Sequence, residues 1–289
     1  METTRPLDLT RLHRPSVYLA GYVHLAAERD TRGSKLSEEQ RFNRYPATPF
    51  PSLSWIFEGD LRMADGPGRP IRGVILAGPL RRPTTSWSPG PVHALTVSFY
   101  PDALSRLLGV RMEAWVDVAA PLAEAVSGEA LERLTAVLEE DGRPPWRRVQ
   151  EALASLRRDP SESEGAADLR SWLAAVTASA TMGGGGARQV QRRIKDTTGQ
   201  SRRNLQLYAR VEDAVAYEEE KAVGLADRAA RAGFSDQSHL GREVRRVTGL
   251  PPGRLEDRID RDEAFWLYRL LRVQKRLNAA EDDRAQTGS

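Results

Sequence analysis

Gln191–Leu205 and Gly241–Leu255 carry one pattern twice, fifty residues apart. Arg192 matches Arg242, Ile194 matches Val244, Lys195 matches Arg245, Thr198-Gly199 matches Thr248-Gly249 and Leu205 matches Leu255. In each copy a basic segment of helical period stops at Thr-Gly, where glycine suits the left-handed C′ position. A polar or proline-containing turn follows. Two copies are too few for a solenoid, which needs at least three units to bury its faces. The repeat therefore predicts a pair of related helix-turn-helix units.

The second copy is the clearer one. Leu225–Ala232 reads as a short Ala-rich helix, Gly233 as its C′ residue, Phe234 as the plug of the turn and Ser235 as the next N-cap. On the helix that follows, Leu240, Val244 and Val247 form an inward stripe. Ser238, Arg242 and Arg245 fall on another stripe, with Gln237 at the exposed N-terminal end. A free face of this kind suits a major groove. Gln pairs with adenine, Arg is bidentate to guanine, and outer arginines such as Arg245 and Arg246 neutralise phosphates.

In the first copy Val190 and Ile194 face inward, while Arg188, Gln191, Arg192 and Lys195 share another face. Between Arg188 and Arg210, seven basic residues meet a single acid, Asp196, so this segment is the sharpest basic cluster of the chain. Leu169–Ala180 is expected to be the first helix of this unit. The run Gly183–Gly186 is expected to form a loose turn, because four glycines lose much backbone entropy on ordering and none offers a capping side chain. Arg188, Arg192, Arg193 and Lys195 would then offset that cost through phosphate neutralisation, with a smaller loss for Arg192→Ala than for Arg242→Ala. A joining helix from about Leu205 to Glu220, ending in Glu218, Glu219 and Glu220, would be about 24 Å long. That length holds two recognition helices near the ~34 Å separation of successive major grooves.

The first 120 residues differ. Short β-branched and aromatic runs, Val17–Leu25, Leu53–Phe57, Val74–Leu76 and Ala94–Tyr100, lie between turn signals such as Pro67-Gly68 and Pro89-Gly90. Pro101 opens a helical pattern. From about Pro121 the period becomes 3.6, through Leu122–Glu140 (with a break at Gly128) and Trp146–Leu156. A polar break at Asp159–Gly165 marks the boundary between parts that should fold separately. The expected fold class is α+β: a β-rich, sensor-like N-terminal domain with flanking helices over residues 1–160, then an all-α domain with two helix-turn-helix units over 166–260. Residues 261–289 add a C-terminal helix, with Phe265, Leu267, Tyr268, Leu270, Leu271 and Leu277 packing on the body, and a tail that frays after about Ala279.

Composition narrows the function. Forty-three Lys and Arg against 40 Asp and Glu leave a net charge of only +3, so any nucleic-acid contact must come from local clusters. There is no cysteine, which removes disulfides, thiolate metal sites and cysteine nucleophiles and suits a reducing cytoplasm. No apolar run approaches the roughly 18–20 residues of a membrane span, and Met1–Asp30 lacks a signal-peptide core. The chain is expected to be soluble and cytoplasmic. His13, His24 and His93 are scattered without ligand spacing, so neither metal nor cofactor is expected. Gly183–Gly186 has no Gly-Lys-Ser/Thr after it and is no phosphate loop. No catalytic constellation stands out, so no enzyme is expected. Trp55, Phe57, Trp87 and Phe99 are the candidate effector-contacting residues, with packing into the β-core as the weightier alternative.

The run Ala232-Gly-Phe-Ser-Asp-Gln-Ser-His-Leu-Gly-Arg-Glu-Val-Arg-Arg-Val-Thr-Gly-Leu-Pro-Pro252 resembles the second helix-turn-helix signature of the AraC/XylS-type bacterial transcription regulators. The resemblance covers about Leu169–Ile259. It implies a seven-helix domain whose two helix-turn-helix units are joined by a long helix. Carried over, the base-reading positions are Arg188, Gln191 and Arg192 in the first unit and Gln237, Ser238, His239 and Arg242 in the second. Leu240 and Val244 stand where aromatics are usual, and the glycine run replaces the usual capped turn. Arg44–Trp55 and Val97–Leu104 more loosely resemble the β-rich sensor half of such regulators, which implies effector binding or dimerisation.

The partner expected is double-stranded DNA, with a small-molecule effector, a second copy of the chain and RNA polymerase as further candidates, and no membrane. The alternative is a ligand- or protein-binding interaction module whose first helix-turn-helix no longer reads DNA.

Overall fold

A strand that turns a corner organises the N-terminal half. In the computed structural model, which describes residues 9–63, 70–157, 168–216 and 224–287, eight antiparallel strands are formed. They are β1 (Thr10–His13), β2 (Val23–Asp30), β3 (Phe42–Tyr45), β4 (Ser52–Met63), β5 (Ile71–Ala77), β6 (Thr84–Trp87), β7 (His93–Phe99) and β8 (Ala119–Pro121). The main sheet runs β1-β2-β7-β4-β5-β8, and β6 pairs both β3 and the far end of β4. Gly59 makes the corner. Its φ of +90° lies in the left-handed region, and a Cβ there would sit 2.4 Å from the Pro91 carbonyl oxygen. Register breaks after Ile56 on both sides of β4, and beyond the break Arg62 and Met63 pair with Trp87 and Ser86. The expected turn at Pro67-Gly68 and break at Asp159–Gly165, and the acidic residues Glu218–Glu220, lie outside the described residues.

The pleat sorts the sheet into two working faces, because successive side chains point opposite ways. Ala26, Val97, Leu53 and Leu76 form one cross-strand row and are buried. They pack, with Trp55 and Phe99, beneath α1 (Pro101–Leu108), α2 (Glu129–Ala136) and α3 (Pro145–Ser155). The indole N–H of Trp55 donates to the Leu134 carbonyl at 2.8 Å. Gly128, at φ +64°, is the N-cap of α2, so the helical run expected from Leu122 becomes a 3-10 turn and then a shorter helix. Val17–Leu19, read as the start of a strand, likewise forms a 3-10 turn before β2.

Seven further helices follow: α4 (Leu169–Met182), α5 (Ala187–Thr198), α6 (Arg202–Ala216), α7 (Leu225–Arg231), α8 (Gln237–Thr248), α9 (Pro252–Arg261) and α10 (Trp266–Thr287). Helix α10 continues past Ala279, where fraying was expected. It lies across the second face of the sheet. Leu25 and Ala27 of β2 pack there against Trp266 and Leu270, which is why β2 is buried on both sides instead of alternating. One hydrophobic core, from Leu19 to Tyr268, runs through the sheet and the helices alike. Among the described residues no helix is long and apolar enough to cross a membrane.

Polar contacts fix α10 in place. Glu263 accepts from Arg29 of β2 at 2.8 Å with one oxygen and from Arg269 at 2.6 Å with the other. Arg29 also lies over the Trp266 ring, 5.0 Å from its centroid, and the Trp266 indole donates to Asn43 at 2.8 Å. His13 and His93, scattered in sequence, meet on one carboxylate. Each ring Nε2 lies 2.8 Å from a different oxygen of Glu28, and these contacts, His13 foremost, hold its pKa down at about 2.

Glu263→Gln would leave Arg29 and Arg269 facing each other without a shared counter-charge. Breaking a buried pair in this way costs about 3–5 kcal/mol, so the urea midpoint should fall sharply with little change in slope. A loss below about 1 kcal/mol, the range of exposed pairs, would show that the site is hydrated and that α10 is held by its apolar face alone.

Candidate nucleic-acid interface

The fifty-residue repeat is realised in hydrogen bonds. Thr198 Oγ1 donates to the Ile194 carbonyl at 2.7 Å and accepts the Gln200 N–H at 3.1 Å. Thr248 Oγ1 donates to the Val244 carbonyl at 2.8 Å and accepts the Leu250 N–H at 3.3 Å. Gly199 and Gly249 follow at φ +70° and +83°, each donating its N–H to the carbonyl four residues back at 2.8 Å. Helices α5 and α8 therefore stop in the same way, and each buries the matching residue, Ile194 or Val244.

Opposite those buried residues lie the predicted contact residues. On α5, Arg188, Gln191, Arg192 and Lys195 are exposed. On α8, Gln237, Ser238, Arg242 and Arg245 are exposed, while Leu240, Val244 and Val247 are buried. The two stripes superpose by the repeat: Arg188 on Ser238, Arg192 on Arg242, Lys195 on Arg245. Asp236, one residue after the expected Ser235, is the N-cap of α8; its carboxylate accepts the His239 N–H at 2.7 Å. That bond, with the hydroxyl of Ser235, lowers the Asp236 pKa. Ser235 supports the cap and also meets His239 Nδ1 at 3.1 Å.

Three predicted residues have partners within the protein. His239 is half-buried edge-on against Phe234, with Glu243 3.8 Å away. Arg246 turns toward Asn204 of α6 at 3.3 Å and Glu243 at 3.6 Å. Lys195 pairs with Glu113 at 3.2 Å. Arg188, Arg192, Arg242 and Arg245, with Arg202 and Arg203 at the start of α6, form no hydrogen bond or ion pair among the described residues.

The glycine turn departs from expectation. Gly184 and Gly185 adopt φ +70° and +97°, conformations that only glycine takes without strain. The Arg193 guanidinium donates to the carbonyls of Ala180 (2.8 Å), Gly183 (2.8 Å) and Gly184 (2.6 Å). Arg193, expected among the phosphate neutralisers, instead staples the turn from inside, while Gly186 at the N-cap offers no side chain. The second turn has a counterpart. Arg210 lies over the Phe234 ring, 4.8 Å from its centroid, and donates to the Gly233 carbonyl at 3.2 Å. Sequence reading missed both staples because a basic residue on a basic helix carries no mark of its direction.

Helices α5 and α8 both end against the N-terminal half. Gly199 meets the turn Met112–Trp115 and Val116, and the Ala47 N–H donates to the Val247 carbonyl at 2.8 Å. Beside that second contact lies a cavity of about 90 Å³, partly open to solvent, between the loop Pro46–Phe50, the middle of α6, the end of α8 and α10. It shares His24, Pro46, Thr48, Phe50 and Leu271 with a second cavity of about 120 Å³ against the sheet. None of the four aromatics singled out lines either space. Trp55 and Phe99 are fully buried on the helix-covered face. Phe57 packs near His93 and Arg148, and Trp87 near Phe42 and Arg62. Their neighbours Ser54 and Ser98, one residue away and hence on the other face, line the second cavity with Ser52 and Thr96.

A family model described as a helix-turn-helix domain matches residues 180–258. Curated proteins give no match. Among solved structures, an apo variant of ToxT from Vibrio cholerae is similar at 11% identity and TM-score 0.39, over 80% of this chain and 96% of that one. Another crystal form of ToxT gives 11% and 0.36, over 74% and 94%. ToxT with an unsaturated fatty acid bound gives 11% and 0.35, over 74% and 93%.

Removing the staple should loosen the first unit before DNA arrives. Arg193→Ala is expected to cost about 1–3 kcal/mol, the range for hydrogen bonds to a charged group, and to speed amide exchange across 183–190 in the free protein. Arg192→Ala, which breaks no internal bond, should leave that exchange unchanged; equal acceleration in both variants would remove the staple. With its two matching helices and the matched residues 180–258, the chain carries a helix-turn-helix domain.

Proposed function

We propose that the protein is a sequence-specific transcription regulator that reads successive major grooves with α5 and α8 and is controlled by a small molecule held between its two halves. One observation carries the DNA reading. Two helices related by the repeat present exposed stripes that share the positions Arg188/Ser238 and Arg192/Arg242, with Gln191 and Gln237 beside them, while their opposite faces are buried. In this reading Gln237 and Arg242 make base contacts, since both lie on the exposed N-terminal half of α8, the end that enters a groove in helix-turn-helix proteins. Arg188, Gln191 and Arg192 do the same from α5. Arg202, Arg203 and Arg245 meet phosphates, with Lys195 recruited from Glu113 and Arg246 from Glu243. His239 orients the start of α8 through Ser235 and Phe234.

The division of labour follows. Residues 1–160 form the regulatory part, 166–260 the DNA-binding part, and 261–289 tie one to the other. Val247 and Thr248, at the end of α8, line the cavity, and the same loop that lines it, Pro46–Phe50, bonds to Val247. A ligand that shifts this loop would shift the end of the second recognition helix. Interfaces between packed elements respond to such small displacements by switching between arrangements.

Arg242→Ala should cost about 1–3 kcal/mol on the cognate site and relax preference at one base position. Because the first turn is stapled, Arg192→Ala should fall in the same range instead of costing less. Electrophoretic or fluorescence titration on cognate and random duplexes measures both. Equal losses on the two DNAs would reassign either arginine to phosphate. Affinity that fails to fall by about 10³–10⁵ between roughly 50 and 200 mM salt, the drop for 6–10 phosphate contacts, would sink the DNA reading.

A further inference from the structure

The cavity beneath Pro46–Phe50 has a charge pattern that selects its ligand. Its walls are mostly apolar and aromatic, with His24, Phe50, Tyr208 and Tyr268 around Val211 and Val215. Three ionisable chains of strong charge reach it: Glu212, Arg272 and Lys275. Both cations already have carboxylates. Lys275 donates to Asp213 at 2.8 Å, and Arg272 donates to Asp260 at 3.3 Å. Glu212 forms no hydrogen bond or ion pair among the described residues. It stands on the stripe Tyr208-Val211-Glu212-Val215, where helical period asks for an apolar residue facing inward. An acid on such a stripe, facing a cavity, is costly unless something pairs with it.

We propose that this cavity binds a lipophilic organic cation, an amine or quaternary ammonium with an apolar body, the charged head against Glu212 and the body among Phe50, Tyr208, Val215 and Tyr268. The assignment rests on the effector reading above and names the ligand class for that site. Aromatic faces and a half-buried carboxylate together are a combination that stabilises a partly desolvated ammonium. An anionic ligand would meet Glu212 as a like charge, and would have to draw Lys275 from Asp213 or Arg272 from Asp260. His24 adds no opposing charge: its ring is stacked on Phe50 with centroids 3.6 Å apart, and desolvation there pushes its pKa down to about 3.

The site also couples ligand to proton. Burial raises the Glu212 pKa to about 7, with Asp213 and Asp168 adding to the rise and Lys275 and Arg170 opposing it. Empty, the carboxyl is half-protonated near neutral pH, so the cation binds with proton release. Its affinity should weaken as pH falls from about 8 to 6, a window in which the ligand amine, like a lysine side chain, stays charged.

Titration calorimetry of the full chain with octylammonium, octanoate and octan-1-ol, which share a chain and differ at the head, tests the assignment. Octylammonium should bind about tenfold or more tighter than octanoate, the equivalent of 1.4 kcal/mol, and should release protons at pH 7. Glu212→Gln should abolish that preference and the proton release while leaving octan-1-ol unaffected. The wild-type comparison stands even if the variant misfolds. Binding of octanoate or octan-1-ol at least as tight as octylammonium would overturn the charge assignment while leaving an effector cavity. Binding of no probe would take down both the assignment and the effector reading.

Discussion

Glu263 sits between Arg29 and Arg269, one oxygen to each, at the point where α10 meets the second face of the sheet. Buried charges of this kind are tolerated only when they are paired and hydrogen-bonded, so this carboxylate fixes where α10 can lie. The cavities follow from that placement. Trp266, Leu267, Tyr268, Leu271, Arg272 and Lys275 all line one or the other, and with α10 elsewhere those walls would be solvent. The helix lies beyond the matched residues 180–258, yet it joins the helix-turn-helix units to the sheet.

The same arrangement links the proposed ligand to the proposed DNA contacts through few steps. Glu212 belongs to α6, which packs against α8; Val247 and Thr248 end α8 and line the cavity; and Ala47 in the lining loop bonds to Val247. The opposite corner is bound too, with Gly199 against Met112 and Val116. Each recognition helix is thus held at its C-terminal end by the N-terminal half, while its N-terminal half stays exposed. In the proposed reading, a change in the sheet-side loop would act on the end that is held and be read at the end that is free.

Inside the helix-turn-helix units, arginines divide by direction. Arg188, Arg192, Arg242 and Arg245 face outward, whereas Arg193 and Arg210 each lock a turn through its carbonyls. A guanidinium suits that internal task, since its planar fork presents several donors at fixed spacing. Four glycines can therefore serve as an ordered turn: the staple supplies the bonds that a capping side chain would otherwise make.

Local periodicity and end signals were enough to find most elements. Thr198-Gly199 and Thr248-Gly249, the stripe Leu240-Val244-Val247 and Pro101 place their helices, and the repeat places the two exposed stripes. Those features depend on residues within about one or two helical turns of each other, which a linear pattern contains. The cavity-lining residues were not legible in the same way. Trp55 and Ser54 differ by one position, and only the identity of what covers each face, α2 on one side and α10 on the other, makes one a core residue and the other a cavity residue. Arg29 and Glu263 are 234 positions apart, and His13, Glu28 and His93 join three strands. The sequence by itself determined most of the helices, the four longer strands and which helix faces are charged; the tertiary structure alone decided the short strands, which charges are spent internally and where a cavity opens, because these depend on contacts between residues that no local period connects.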